Sequence, residues 1–118
     1  MECIFCKILE KEAPAVILFE DEVCVVIETI EPVSKGHVLV IPKLHVENIL
    51  DIDDATLAHL AVVSKNIGKD LIAENNASGM NLLHAAGRSA QQSVFHFHFH
   101  VVPRYPDDNL DLWFRNGL

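Results

Sequence analysis

The stretch Phe95-His96-Phe97-His98-Phe99-His100-Val101-Val102 constrains this chain more than any other. Side chains alternate faces along a strand. As a strand, it lines up His96, His98 and His100 on one face, over roughly 13 Å at strand rise. Phe95, Phe97, Phe99 and Val101 line the other face and require a core. The imidazoles are then aimed away from that core. Clustered titratable groups are rare outside functional sites. The run therefore points to chemistry on a sheet surface.

The rest of the chain supplies partners for such a strand. Residues 4–9 are apolar and can open a short helix. Val16–Phe19 and Val23–Ile27 are β-rich runs around the turn-like Glu20-Asp21-Glu22, so they read as a hairpin. Gly36 precedes a strand over His37–Ile41, stopped by Pro42. Asp53 or Asp54 is the N-cap of the one long amphipathic helix, which carries Leu57, Leu60, Ala61, Ser64, Ile67, Gly68, Leu71 and Ile72 and ends near Asn75-Asn76. This helix is the expected cover for the phenylalanines. Gly79–His84 reads as a strand, Gly87–Gln92 as a loop, and Val94–Val102 as the histidine strand, closed by Pro103. Hairpins and one long helix predict an α+β domain with a mainly antiparallel sheet. The 118 residues suit one domain over 1–118, and half of them are hydrophobic, enough for a core.

Charge narrows the partners. The formal net charge is −8, and residues 1–59 hold 4 Lys/Arg against 12 Asp/Glu. With no basic stripe, long nucleic acid and membrane surfaces are not expected partners. A small anion bound by local donors fits. The start, Met1-Glu2-Cys3, lacks the pattern of a secretory signal, and no apolar run reaches the ~18 residues of a membrane span. Three cysteines in such a chain predict reduced thiols in a cytoplasm.

Two chemistries suit three imidazoles on one strand. They can chelate one metal, as in three-histidine zinc sites. Alternatively, one is a nucleophile that its neighbours orient. Imidazole is largely neutral near pH 7, attacks phosphorus readily, and leaves an N–P bond that water cleaves. Cys3-x-x-Cys6 has metal-knuckle spacing but makes only half a site, and taken alone it reads as two small apolar side chains on a short helix.

His96-Phe97-His98-Phe99-His100-Val101-Val102 resembles the signature of the histidine triad (HIT) hydrolases, in their nucleotide-binding branch. Cys3-Ile4-Phe5-Cys6-Lys7-Ile8 is similar to that family's opening segment. Gly36-His37-Val38-Leu39-Val40-Ile41-Pro42-Lys43 with His45 is similar to its central strand, and Gln92-Ser93-Val94-Phe95 to its catalytic loop. The resemblance implies a HIT-like fold, with a mainly antiparallel five-stranded sheet, one long helix and a short N-terminal helix. It implies a homodimer whose sheets join. It implies binding of AMP- or GMP-like nucleotides and hydrolysis at the α-phosphate without a catalytic cofactor. His98 would be the nucleophile, forming a nucleotidyl-histidine. His96 and His100 would hold its tautomer and contact phosphate oxygens. Ser93 would act near the scissile bond, with nearby backbone N–H groups as oxyanion donors. Phe5, Ile8, Ile30 and Leu39 would take the base, Thr29 the ribose, and Gln92 with Ser93 the phosphate side. Bacterial members with this cysteine pair imply a structural zinc on Cys3, Cys6, His45 and His96.

Three positions depart from the family pattern: Thr29 stands for an Asp, Ala85 for an Asn and Gln91 for a Gly. Thr29 and Ala85 favour a second reading, a non-catalytic nucleotide-binding or regulatory module. The third is a zinc hydrolase using the three histidines. Of the other histidines, His37 is expected in the core, His59 at a helix boundary, and His84 near the site. Cys24 is expected in the core. Trp113 is expected on its own core or on a partner.

Overall fold

The computed structural model describes residues 3–114. Helix α1 (Ile4–Leu9) is too short to stand alone. Cys3 caps it, its Sγ accepting the Cys6 N–H at 3.3 Å, and buried Phe5 and Ile8 pin it to the sheet. Strands β1 (Ile17–Glu20) and β2 (Cys24–Glu28) form the expected hairpin. Asp21 Oδ1 closes its turn by accepting the N–H groups of Val23 and Cys24, both at 2.8 Å. Next come β3 (Val38–Pro42), α2 (Asp54–Asn75), β4 (Gly79–Leu83) and β5 (Phe99–Arg104). All pairings are antiparallel, in the order β1-β2-β3-β5-β4. This is the α+β, HIT-like architecture that the sequence implies.

The central strands β2 and β3 are buried on both faces, so they read as unbroken apolar runs. One face carries Cys24, Val26, Val38, Val40, Phe97, Phe99 and Val101, packed under Leu60 and Leu71 of α2. The other carries Val25, Ile27, Leu39 and Ile41, covered by Phe5 and Ile8 of α1. The histidines lie on this second face. They point away from the α2 core, as expected, yet not into water: His96 is fully buried and His98 is 8% exposed.

The histidine strand itself differs from expectation. It begins at Phe99, not Val94, and runs through Pro103 to Arg104. Residues before Phe99 bond to loops: the Phe97 N–H goes to the Val46 carbonyl at 2.7 Å. The face alternation survives for Phe97, Phe99 and Val101. Phe95 is the exception, lying under the Arg88 guanidinium at 4.9 Å and lining a cavity of about 400 Å³. Pro103 does not end β5. Its carbonyl accepts from Ser34 Oγ at 2.7 Å, on the side where β3 has already stopped, so its missing N–H has no ladder partner to lose. Among the described residues no helix is long and apolar enough to cross a membrane.

Candidate active site and metal centre

Hydrogen bonds determine where each imidazole proton sits. His98 Nδ1 lies 2.9 Å from the carbonyl of His96. A carbonyl only accepts, so Nδ1 carries the proton and Nε2 keeps its lone pair. Burial pushes the His98 pKa down, against the opposing bond to His96, and the ring is held neutral. A neutral ring with a bare Nε2 is a nucleophile.

His100 stands directly opposite Leu39 on β3, and its ring meets His98 with centroids 4.9 Å apart. His37 sets its tautomer. The Val33 N–H donates to His37 Nδ1 at 3.1 Å, so His37 is protonated on Nε2, which lies 3.0 Å from His100 Nδ1. His100 therefore accepts on Nδ1 and carries its proton on Nε2. Burial, then repulsion from His98, His37 and His84, takes the His100 pKa down to about 4. One ring thus offers a lone pair and its neighbour an N–H, suited to attack on phosphorus beside a donor for its oxygen. The sequence placed His37 in the core, where it is; its relay to His100 was not legible, because β3 and β5 bring it there from 63 residues away.

His96 faces elsewhere. Its Nε2 donates to the Pro42 carbonyl at 2.8 Å, leaving Nδ1 bare. That nitrogen lies 3.0 Å from His45 Nδ1, 3.4 Å from Cys3 Sγ and 3.6 Å from Cys6 Sγ, and His45 Nδ1 is 3.2 Å from Cys6 Sγ. The four donor atoms lie within 4.8 Å of one another. Two imidazole nitrogens turned toward two thiols form a Cys2His2 set with the compactness of a tetrahedral zinc site. The expected ligands are thus brought together. The three triad histidines do not converge on one point: among the described residues no metal-sized cluster takes in His98 or His100.

Phe5 presents its face or edge to both His96 and His98, at 5.7 and 5.1 Å between centroids. It clusters with Ile8 and Leu39, and with Ile27, which in the sequence is only the last residue of the apolar run Val23–Ile27. Ile30 lies apart, 93% exposed. Thr29 is partly buried, and its Oγ1 accepts the Glu31 N–H at 3.4 Å. Ser93 is exposed on the rim of the cavity shared with Cys3, His45 and Phe95. Gln92 is buried and serves the loop: its amide donates to the carbonyls of Glu47 and Val94, and accepts from Gly87 N–H and Asn48. Cys24 is buried, as expected, and half-buried His59 donates to Asp21 at 2.7 Å. Trp113 does not pack on the core; it is 57% exposed.

Comparison with known proteins agrees with this geometry. The HIT domain family model matches residues 10–107. An uncharacterized HIT-like protein of Borreliella burgdorferi is 42% identical over 109 residues, covering 91% of this chain and 78% of that protein. An adenosine 5'-monophosphoramidase of Schizosaccharomyces pombe is 39% identical, covering 88% of this chain and 75% of the enzyme. The crystal structure of a zinc-bound histidine triad family protein from Mycobacterium smegmatis superposes with a TM-score of 0.90 at 40% identity, covering 95% of this chain and 81% of that one. With the HIT domain model matching residues 10–107 and three histidines on one sheet face, the chain belongs to the HIT family.

Proposed function

We propose that the chain is a nucleotide hydrolase that cleaves a group from the α-phosphate of a nucleoside monophosphate derivative, of the phosphoramidate type. The observation that carries this reading is the bare Nε2 of a neutral, buried His98 beside the N–H of His100. His98 Nε2 attacks the α-phosphorus as the bond to the leaving amine breaks. The departing nitrogen takes a proton, for which Ser93 is the proposed route. Water then attacks the N–P bond, releasing the nucleoside monophosphate and returning the imidazole. Phe5, Ile8 and Leu39 form the proposed base site, with solvent-exposed Ile30 as its proposed outer contact, Thr29 the ribose contact, and the loop from Gln92 the phosphate side. The similarity to an adenosine 5'-monophosphoramidase supports this substrate class.

Cys3, Cys6, His45 and His96 fit zinc, and the ion would tie α1 to the catalytic strand. Four ligands leave no open position, so its contribution would be structural. Purified without chelator, the protein is expected to hold about one zinc per chain, and a Cys3→Ser, Cys6→Ser double variant is expected to lose it. Full zinc in that variant overturns the assignment.

A homodimer joined through β4 is the proposed assembly. This edge strand is uncharged along Gly79–Leu83, and Leu82 is 43% exposed, whereas the β1 edge carries a register shift and Glu20. Light scattering should give twice the chain mass, and Leu82→Lys should halve it. The free thiols of Cys3, Cys6 and Cys24 suit a reducing cytoplasm.

The decisive experiment is brief exposure to an adenosine phosphoramidate followed by mass spectrometry. An adenylyl adduct and turnover are expected, both absent in His98→Ala. Binding with neither adduct nor turnover would identify a nucleotide-binding module instead.

A further inference from the structure

His84 follows β4 and lies against the side of the histidine strand opposite the triad rings. It stacks on Phe97, with centroids 4.4 Å apart and planes at 25°, and meets Phe99 edge on at 5.8 Å. Both its nitrogens are engaged. Nε2 accepts the Ile49 N–H at 3.0 Å, and Nδ1 lies 3.0 Å from the carbonyl oxygen of His98. An amide N–H only donates, so Nε2 is bare. A carbonyl only accepts, so Nδ1 carries the proton. The two bonds together admit a single, neutral tautomer.

This places His84 on the backbone of the proposed nucleophile. β5 begins at Phe99, and the carbonyl of His98 bonds to this side chain. The ring Nδ1 of His98 is held by the His96 carbonyl at 2.9 Å. His98 is thus gripped at its ring and at its carbonyl. The far end of the His84 bridge is the 46–50 loop, which already holds the strand through Val46 and the catalytic loop through Glu47 and Asn48.

We propose that His84 is a positioning residue for His98. As the Nδ1–H tautomer, it ties the nucleophile's carbonyl to the amide of Ile49 and so fixes the direction of His98 Nε2. The inference rests on the hydrolytic reading above. Small misplacements of a reacting group cost large factors in rate.

The test compares wild type, His84→Phe and His84→Asn on an adenosine phosphoramidate. Phenylalanine keeps the stack and removes both bonds. Asparagine restores a donor at the Nδ1 position. In His84→Phe, kcat is expected to fall about tenfold to a hundredfold, with KM and zinc content unchanged, and His84→Asn is expected to recover most of the loss. Ring-nitrogen NMR of the wild type should show His84 protonated on Nδ1 alone. In the phenylalanine variant the single-tautomer signal of His98 should broaden or split. Unchanged kcat in a folded His84→Phe overturns the proposal, as does a proton on Nε2 of His84. If His84→Phe does not fold, the ring spectra and the kcat of His84→Asn decide. If wild type shows no turnover at all, the hydrolytic reading fails. The spectra then still decide whether His84 holds His98.

Discussion

His96 does two jobs through different atoms: its ring turns to the cysteines and His45, while its carbonyl takes the proton side of His98. A metal on the ring would therefore steady the backbone that orients the neighbouring His98 ring. The identities of these residues are plain in the sequence, but their proton positions are not, because Pro42, Val33 and Ile49 reach them only in the folded chain. Gln91 is a second case. Its replacement of the family's usual Gly is visible in the sequence, and the structure gives that departure a physical meaning: Gln91 sits at φ 71° and ψ 28°. The left-handed region crowds a Cβ, costing about 1 kcal/mol or more. Gln91→Gly removes that strain, while a freer unfolded chain offsets part of the gain. A net stabilisation of about 0.5–1 kcal/mol is expected from the urea midpoint, with an unchanged m-value.

At the scale of elements, α2 was the most legible. Its buried residues Leu60, Ser64, Gly68 and Leu71 repeat at helical spacing, and Asp53 caps it by accepting the Thr56 N–H at 2.9 Å. It ends where Asn76 turns left-handed at φ 55°. One member of that face is mismatched. Ser64 Oγ is fully buried with no hydrogen-bond partner among the described residues. Ser64→Ala removes a stranded hydroxyl and adds helix propensity, so a gain of about 1–2 kcal/mol is expected in chemical denaturation. A loss would mean that the hydroxyl has a partner in solution. The histidine strand was less legible at its start. Alternation alone extends it back to Val94, but alternation reports faces, not ladder bonds. Phe97 keeps its face while its N–H serves Val46.

For the molecule as a whole, the site makes acid destabilising. His100 titrates near 6.5 when unfolded and at about 4 when folded, because burial and three neighbouring histidines oppose its charge. His98 and His37 are lowered by burial in the same direction. Between these values the unfolded chain binds more protons, so stability rises with pH. It is complete above about pH 6.5 and is lost as pH falls toward 4, by up to about 3 kcal/mol for His100 alone. Urea titrations at stepped pH, on protein stripped of metal so that zinc release does not contribute, should show this slope. A flat profile from pH 7 to pH 4 would contradict the burial of the triad.

By itself, the sequence determined the α+β class, the one long helix, the shared face of the three histidines and the four candidate zinc ligands. Each follows from local periodicity or from the identity of residues in a motif, and a resemblance carries identities. The tertiary structure decided the rest. It joined Cys3 and Cys6 to His45 and His96, left Ile30 in solvent, and put His37 and His84 behind the triad. These relations span tens of residues along the chain and are made by strand pairing and loop closure. The physical reason is that hydrogen bonds place the protons, and the bonds that matter here connect segments that meet only once the sheet has formed.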